Sequence, residues 1–443
     1  MSPFIVGHAT HPEWTGAFAL VAAQLDAQAA PRADEGGAAG PRAAAPTLGL
    51  VYFTDAYAAA ADALLAALRQ RWPGVSFVGT VGVGVCAGGV EYFDEPALVV
   101  MLMALPREQF QVFSGTRGLR GAGSTADVGG TVAGPAGPLR AAAALVHADP
   151  ATPDLPELLA ELAGRTEAGY LFGGVSASRK RHVQLADAVL QGGLSGVAFG
   201  EGVPLVSRVT QGCAPLGPAR RITASDGTVV LALDGQPALP QLLADLHLVR
   251  KGSGESVHPR ALRDAVPRLR RTLVGLSPPR QGERPVARPG SFGDEVRVRH
   301  LIGIDPGRQG IAVAEQVHPG MRLSFCQRDA AAARRDLMRM CTEVRDEIES
   351  RAEALHPAAR TAAGAGAAGG GITAPGESRG ALGAVYVSCS GRGGAHFGAP
   401  SAELQIVRHA LGDVPLVGFF AAGEIARRQL YGYTGVLTVF CEP

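Results

Sequence analysis

Two stretches far apart in this chain share one register. VSFVGTVGVGV (75–85) aligns without a gap on VPLVGFFAAGE (414–424), pairing Gly79 with Gly418 and Gly84 with Gly423. The same shift carries Tyr92 onto Tyr431 and Leu98 onto Leu437. Upstream, after a small change of length, LGLVYFT (48–54) resembles LGAVYVS (382–388). A helical apolar spacing follows each: Ala61, Leu64, Leu65, Leu68 and Trp72 in one copy, Leu404, Val407 and Leu411 in the other. Both ends of the chain therefore read strand, helix, strand, small-residue loop, strand. Glycine and valine are abundant, so two matched glycines alone would mean little. A shared register with matched flanking elements points to duplication.

A fainter middle copy keeps the same order. RAAAALVH (140–147) reads as a strand, DLPELLAEL (154–162) as a helix with Asp154 and Glu157 spaced as a capping box, and GYLFGG (169–174) and GLSGVAFG (193–200) as further strands. GTVVLALDG (227–235) and RHLIGID (299–305) add strands, and a long amphipathic helix over about 329–353 carries Leu337, Met340, Cys341, Val344 and Ile348 on one face. The expected class is α/β or α+β, two related halves with mixed sheets covered by helices and built from repeated strand-helix-strand-loop-strand units. Residues 27–46 and 356–380 are Gly-, Ala- and Pro-rich and read as flexible insertions, and 277–295 as a long surface loop.

Charge narrows the function classes. Lys+Arg 41 against Asp+Glu 40 leaves almost no net charge, which argues against nucleic acid and membrane surfaces as partners. The N-terminal residues lack the pattern of a signal peptide, and no apolar run is long enough to span a bilayer. Six scattered cysteines, with no CxxC and no cluster at metal-ligand spacing, give no expectation of a metal or a cofactor. A cytoplasmic setting with free thiols is the expectation. GTVGVGV has its glycines in the wrong order for a dinucleotide fingerprint.

Four segments carry a family resemblance: FGGVSASRKRHVQLADAVLQGGLSGVAF (172–199), LALDGQPAL (231–239), SCSGRGGAHFG (388–398) and VPLVGFFAAGEIA (414–426). Together they resemble the FIST family, F-box and intracellular signal transduction proteins. The resemblance covers nearly everything from about residue 45 to 441 and implies a FIST N domain (45–235) followed by a FIST C domain (236–443). It further implies a sensory module that binds a small ligand, an amino acid among the candidates, in intracellular signalling, with a separate signalling protein as partner.

The candidate site lies at strand ends, where α/β proteins place ligands. If the strands at 382–388 and 414–420 share a sheet, Cys389, Arg392 and Glu424 face one cleft. Arg392 offers a fork for a carboxylate and Glu424 an acceptor for an ammonium, while Gly391 and Gly423 allow close backbone approach. The alternative for Arg392 and Glu424 is an internal ion pair that fixes two loops. Asp55 is either a further polar contributor or the N-cap of a helix over 56–71, and Ser176 sits in a basic loop that could receive an anion. The reading favours a ligand-binding sensor, with no catalytic residue assigned. The alternatives are an enzyme acting through the Cys389 thiol, with His396 nearby, or the Glu424 carboxylate, and a scaffold whose groove holds a protein.

Overall fold

The computed structural model describes residues 3–30, 44–115, 139–248, 266–279, 296–355 and 380–443. Those described residues form two compact units, a large one (1–210, 337–430 and 434–443) and a small one (211–336 and 431–433). The expected insertions at 27–46 and 356–380 and the loop 277–295 fall largely outside the described residues. Mixed α and β structure is found throughout, as the alternating patterns require.

The large unit repeats one pairing scheme three times. Its first set comprises β1 (Phe4–Thr10), α1 (Trp14–Ala29), β2 (Leu48–Thr54), α2 (Ala61–Arg71), β3 (Ser76–Gly82), β4 (Gly84–Ala87), β5 (Val90–Phe93) and β6 (Ala97–Met103). The second comprises β7 (Phe110–Ser114), β8 (Ala141–Ala148), α3 (Leu155–Ala163), β9 (Tyr170–Val175), β10 (Gln184–Ala186), β11 (Val189–Leu190) and β12 (Leu194–Gly200).

The third begins with β13 (Leu205–Gln211), after which the chain builds the small unit: β14 (Cys213–Pro215), β15 (Arg220–Asp226), β16 (Val229–Leu233), β17 (Gln236–Pro237), α4 (Ala238–Asp245), β18 (Thr272–Ser277), β19 (Arg297–Asp305), β20 (Gly310–Val313) and β21 (Arg322–Arg328). It resumes through α5 (Ala330–Leu355) with β22 (Ala381–Cys389), α6 (Ala402–Leu411), β23 (Leu416–Ala421), β24 (Gly423–Arg427), β25 (Gln429–Tyr431) and β26 (Thr434–Cys441).

In each set the first two core strands are parallel across a helical crossover: β2 with β3, β8 with β9, β22 with β23. The last strand returns antiparallel beside the first. The hairpin between them leaves its own sheet. Thus β4–β5 extends the β23 edge, β10–β11 the β3 edge and β24–β25 the β9 edge, giving three six-stranded sheets that exchange hairpins in a cycle. A glycine stands at the same place in the second strand of every pair. A Cβ on Gly79, Gly173 or Gly418 would lie 1.7, 2.0 or 1.7 Å from the carbonyl oxygen of its neighbour Val51, Val146 or Tyr386, closer than any side chain permits.

Helices α1 and α2 bury Val21, Leu25, Leu64, Leu65 and Leu68 against the first sheet, and α3 buries Leu155, Leu159 and Leu162 against the second. Between the sheets one aromatic residue from each meets: Tyr52 stacks on Phe419 at 5.1 Å, and His147 packs edge-on to both. The open edge of β1 is closed by helix side chains. Gln28 exchanges hydrogen bonds with the backbone N–H and C=O of Val6, and Gln24 does so with His8. In the small unit, β21, β15, β16, β20, β19 and β18 pair in a closed ring around Leu239, Leu242, Ile311 and Phe325, with Arg220 and Asp245 as a buried bidentate pair.

Two expected caps are absent. Asp154 adopts a left-handed conformation and its side chain makes no cap bond, and α2 starts at Ala61 with no side-chain cap. The Asp55 carboxylate instead accepts from the backbone N–H of Arg179 in the loop after β9.

Candidate functional site

Strand alternation decides which way the residues at the end of β22 point. Tyr386 and Ser388 share one face, and Val387 and Cys389 the other. Helix α6 covers the Tyr386 face with Leu404, Val407 and Leu411, and in that apolar stripe stands Glu403, fully buried. Its Oε1 accepts from the Tyr386 hydroxyl at 2.6 Å and from Arg392 Nε and Nη2 at 2.9 and 2.5 Å, and its Oε2 accepts from Ser388 at 3.0 Å. Arg392 is 1% exposed, with Phe397 packed 5.0 Å from its guanidinium carbon. Burial works against the Arg392 charge, but Glu403, Tyr386 and Cys389 together outweigh it and hold the guanidinium protonated.

The exchanged β4–β5 hairpin brings a second carboxylate. Glu91 on β5 accepts from the backbone N–H of Gly394 at 3.3 Å, and its own N–H donates to Ser401 Oγ at 3.0 Å. Burial, followed by repulsion from Glu403, raises its carboxyl to about 7.

Glu424 lies inward on β24, fully buried and paired opposite Gly174 of β9. One oxygen accepts from Thr434 twice, from N–H at 3.1 Å and from the hydroxyl at 2.6 Å. Burial raises its pKa to about 7, and Thr434, Arg392 and the Cys389 thiol oppose the rise. Two atoms of opposite character have no hydrogen-bond partner among the described residues: Glu424 Oε1 and Arg392 Nη1.

The structure thus associates Cys389, Arg392 and Glu424, each less than a tenth exposed, and does not ion-pair Arg392 with Glu424. The guanidinium fork expected to meet a ligand already holds Glu403. Gly391 lies in the turn after β22, and Gly423 opposes Val175 in the β24–β9 ladder. Asp55 and Ser176 belong to the other two sets, where Ser176 Oγ bonds Thr80 Oγ1 at 2.6 Å and Asp55 holds the loop that follows Ser176. Sequence reasoning missed Glu403, Glu91, Tyr386 and Thr434. A glutamate beside Leu404 in an otherwise apolar helical stripe was the available signal for Glu403, whereas nothing local marks Glu91. Among the described residues no group of three His, Cys, Asp or Glu is arranged to hold a metal, and no helix is long and apolar enough to cross a membrane.

Family comparison fits this arrangement. The model of the FIST N domain matches residues 47–236, and that of the FIST C domain matches residues 265–427. The chain belongs to the FIST family. FIST domains are associated with sensing in signal transduction. Similar chains include the uncharacterized protein Rv0628c of Mycobacterium tuberculosis (strain ATCC 25618 / H37Rv), 30% identical over 435 residues, 94% of this chain and 96% of that one. The uncharacterized protein Mb0898c of Mycobacterium bovis is 30% identical over 424 residues, 90% of this chain and 91% of that one. Cys389, Arg392 and Glu424 of this FIST protein thus lie within the FIST C match, and Thr434, which binds Glu424, lies beyond its end.

Proposed function

We propose that this FIST protein is a cytoplasmic sensor that binds a small amino-acid-like or carboxylated metabolite and passes the signal to a protein partner. The observation that carries the reading is the pair of buried polar atoms without hydrogen-bond partners among the described residues, Arg392 Nη1 and Glu424 Oε1. A buried polar atom left unpaired costs about 1–3 kcal/mol, so two of them on neighbouring strand ends favour whatever satisfies both. An α-amino acid offers a carboxylate oxygen to Nη1 and an ammonium to Oε1. Gly391, Gly393 and Gly394 line the turn that would have to open to admit it, and Cys389, Asp55 and Ser176 are the further polar contributors of this reading.

A carboxyl with a pKa of about 7 adds a signature. An ammonium favours the ionised form of Glu424, so binding near neutral pH releases a proton and strengthens as pH rises through 7. Calorimetric titration with a panel of amino acids, in buffers of different ionisation heat, tests this. Binding with proton release, abolished in Glu424→Gln, supports the sensor. If no compound binds, or if Glu424→Gln binds equally well, the reading fails.

A further inference from the structure

At the far end of α6 from Glu403 the large unit holds a cavity of about 320 Å³, bounded by β1, the β4–β5 turn and the segment entering β23. That volume is at the lower end of small-molecule sites. Val6, Val407, Leu411 and Leu416 supply its apolar side, and His8 and Arg408 bring polar groups to it. The turn is shaped for this. A Cβ on Gly89 would come within 2.8 Å of Gln405 Nε2 and 2.9 Å of Arg408 Cδ, so the glycine lets both side chains pass close to the wall.

The polar groups of the lining are fixed or mutually neutralised. Gln28 is committed to the backbone of Val6, and Arg408 binds Asp413 through Nε and Nη2 at 2.7 Å. His8 Nδ1 lies 2.6 Å from the Tyr92 hydroxyl. We assign that hydroxyl as the donor, which makes Nε2 the protonated nitrogen, free to donate. Helix α6 ends at Leu411; the Gly412 N–H takes the Arg408 carbonyl, and the carbonyl of Leu411, which lines the cavity, has no partner within the helix. An anion here would face Asp413 and the negative end of the helix, and a cation would face Arg408. A neutral group that accepts from His8 and donates to the helix end meets neither penalty.

We propose that this cavity binds a small neutral molecule carrying an amide or lactam on an apolar body. This site is separate from the Cys389–Glu424 group and does not depend on it. The test uses benzamide, benzoate and benzylamine as probes on the full chain, followed by ligand-observed NMR. Benzamide is expected to bind at least about tenfold more tightly than either charged isostere, a difference of about 1.4 kcal/mol lost by the charged forms to the lining. His8→Phe, which removes the donor, should weaken benzamide binding. Val90→Trp, at a half-exposed position on the rim, should block it while leaving the circular dichroism spectrum unchanged. The proposal is overturned if the three probes bind alike, if none binds at millimolar concentration, or if His8→Phe and Val90→Trp bind benzamide as the parent does.

Discussion

Glu403 holds Arg392 inside the protein, Nη2 to Oε1 at 2.5 Å, with side-chain exposures of 0% and 1%. The two residues join the first turn of α6 to the turn after β22, so the pair fastens helix to strand end at the edge of the candidate site. Removing one partner of such a pair strands a charge in the interior. Glu403→Leu is expected to cost about 3–5 kcal/mol, measured by urea unfolding. The double variant Glu403→Leu with Arg392→Met should recover much of that loss, because no charge is left alone. Additive losses would show that the residues do not act as a pair.

Gly79, Gly173 and Gly418 should be intolerant of any side chain. Each Cβ would meet a backbone carbonyl, which cannot swing away as a side chain can. Alanine at any of them is expected to destabilise by more than about 4 kcal/mol, in the exceptional range for point substitutions. Gly88→Ala, at a φ of 55 with open space around it, should cost only about 1–2 kcal/mol. Thermal unfolding of the four variants gives the ranking.

Glu424 titrates near 7 in the folded chain and at 4.5 as an ordinary glutamate, so the folded state favours the protonated form. Its contribution is complete below pH 4.5 and disappears as pH rises through 7, amounting to about 3 kcal/mol by linkage. His147 acts in the other direction. Burial lowers it from 6.5 to about 3, so its contribution is complete above 6.5 and lost as pH falls. The Glu424 part is therefore read as a difference: parent minus Glu424→Gln should decline between pH 4.5 and 7. A flat difference would show the carboxyl to be ionised throughout.

Gln24 and Gln28 occupy the backbone groups that another strand would use along β1. Replacing both with alanine removes the four hydrogen bonds to β1 and exposes a pairing edge. We expect about 1–3 kcal/mol of lost stability together with self-association that grows with concentration, followed by sedimentation velocity. Unchanged monomer content would mean that the edge is guarded by something else.

Local patterns carried a good part of the architecture. Gly79 and Gly418 in one register, the apolar faces of α2 and α6, and the long helix α5 were all legible, because a strand or helix period is written in neighbouring residues. The motifs around Cys389, Arg392 and Glu424 were legible as a family signature as well. What they touch was not. Two charged residues at adjacent strand ends invited pairing, yet Arg392 turns to Glu403, since strand alternation puts Tyr386 and Ser388 under α6 and the helix supplies the carboxylate there.

By itself the sequence determined the element types, the family and the glycines that let paired strands approach. Only the tertiary structure decided that β4–β5 leaves its own sheet and carries Glu91 to the start of α6, about 300 residues further along the chain. The reason is physical. Periodicity reports which face of an element is apolar, whereas the choice of sheet edge for a hairpin, and of partner for a buried charge, depends on packing and hydrogen bonds summed over residues with no proximity in sequence.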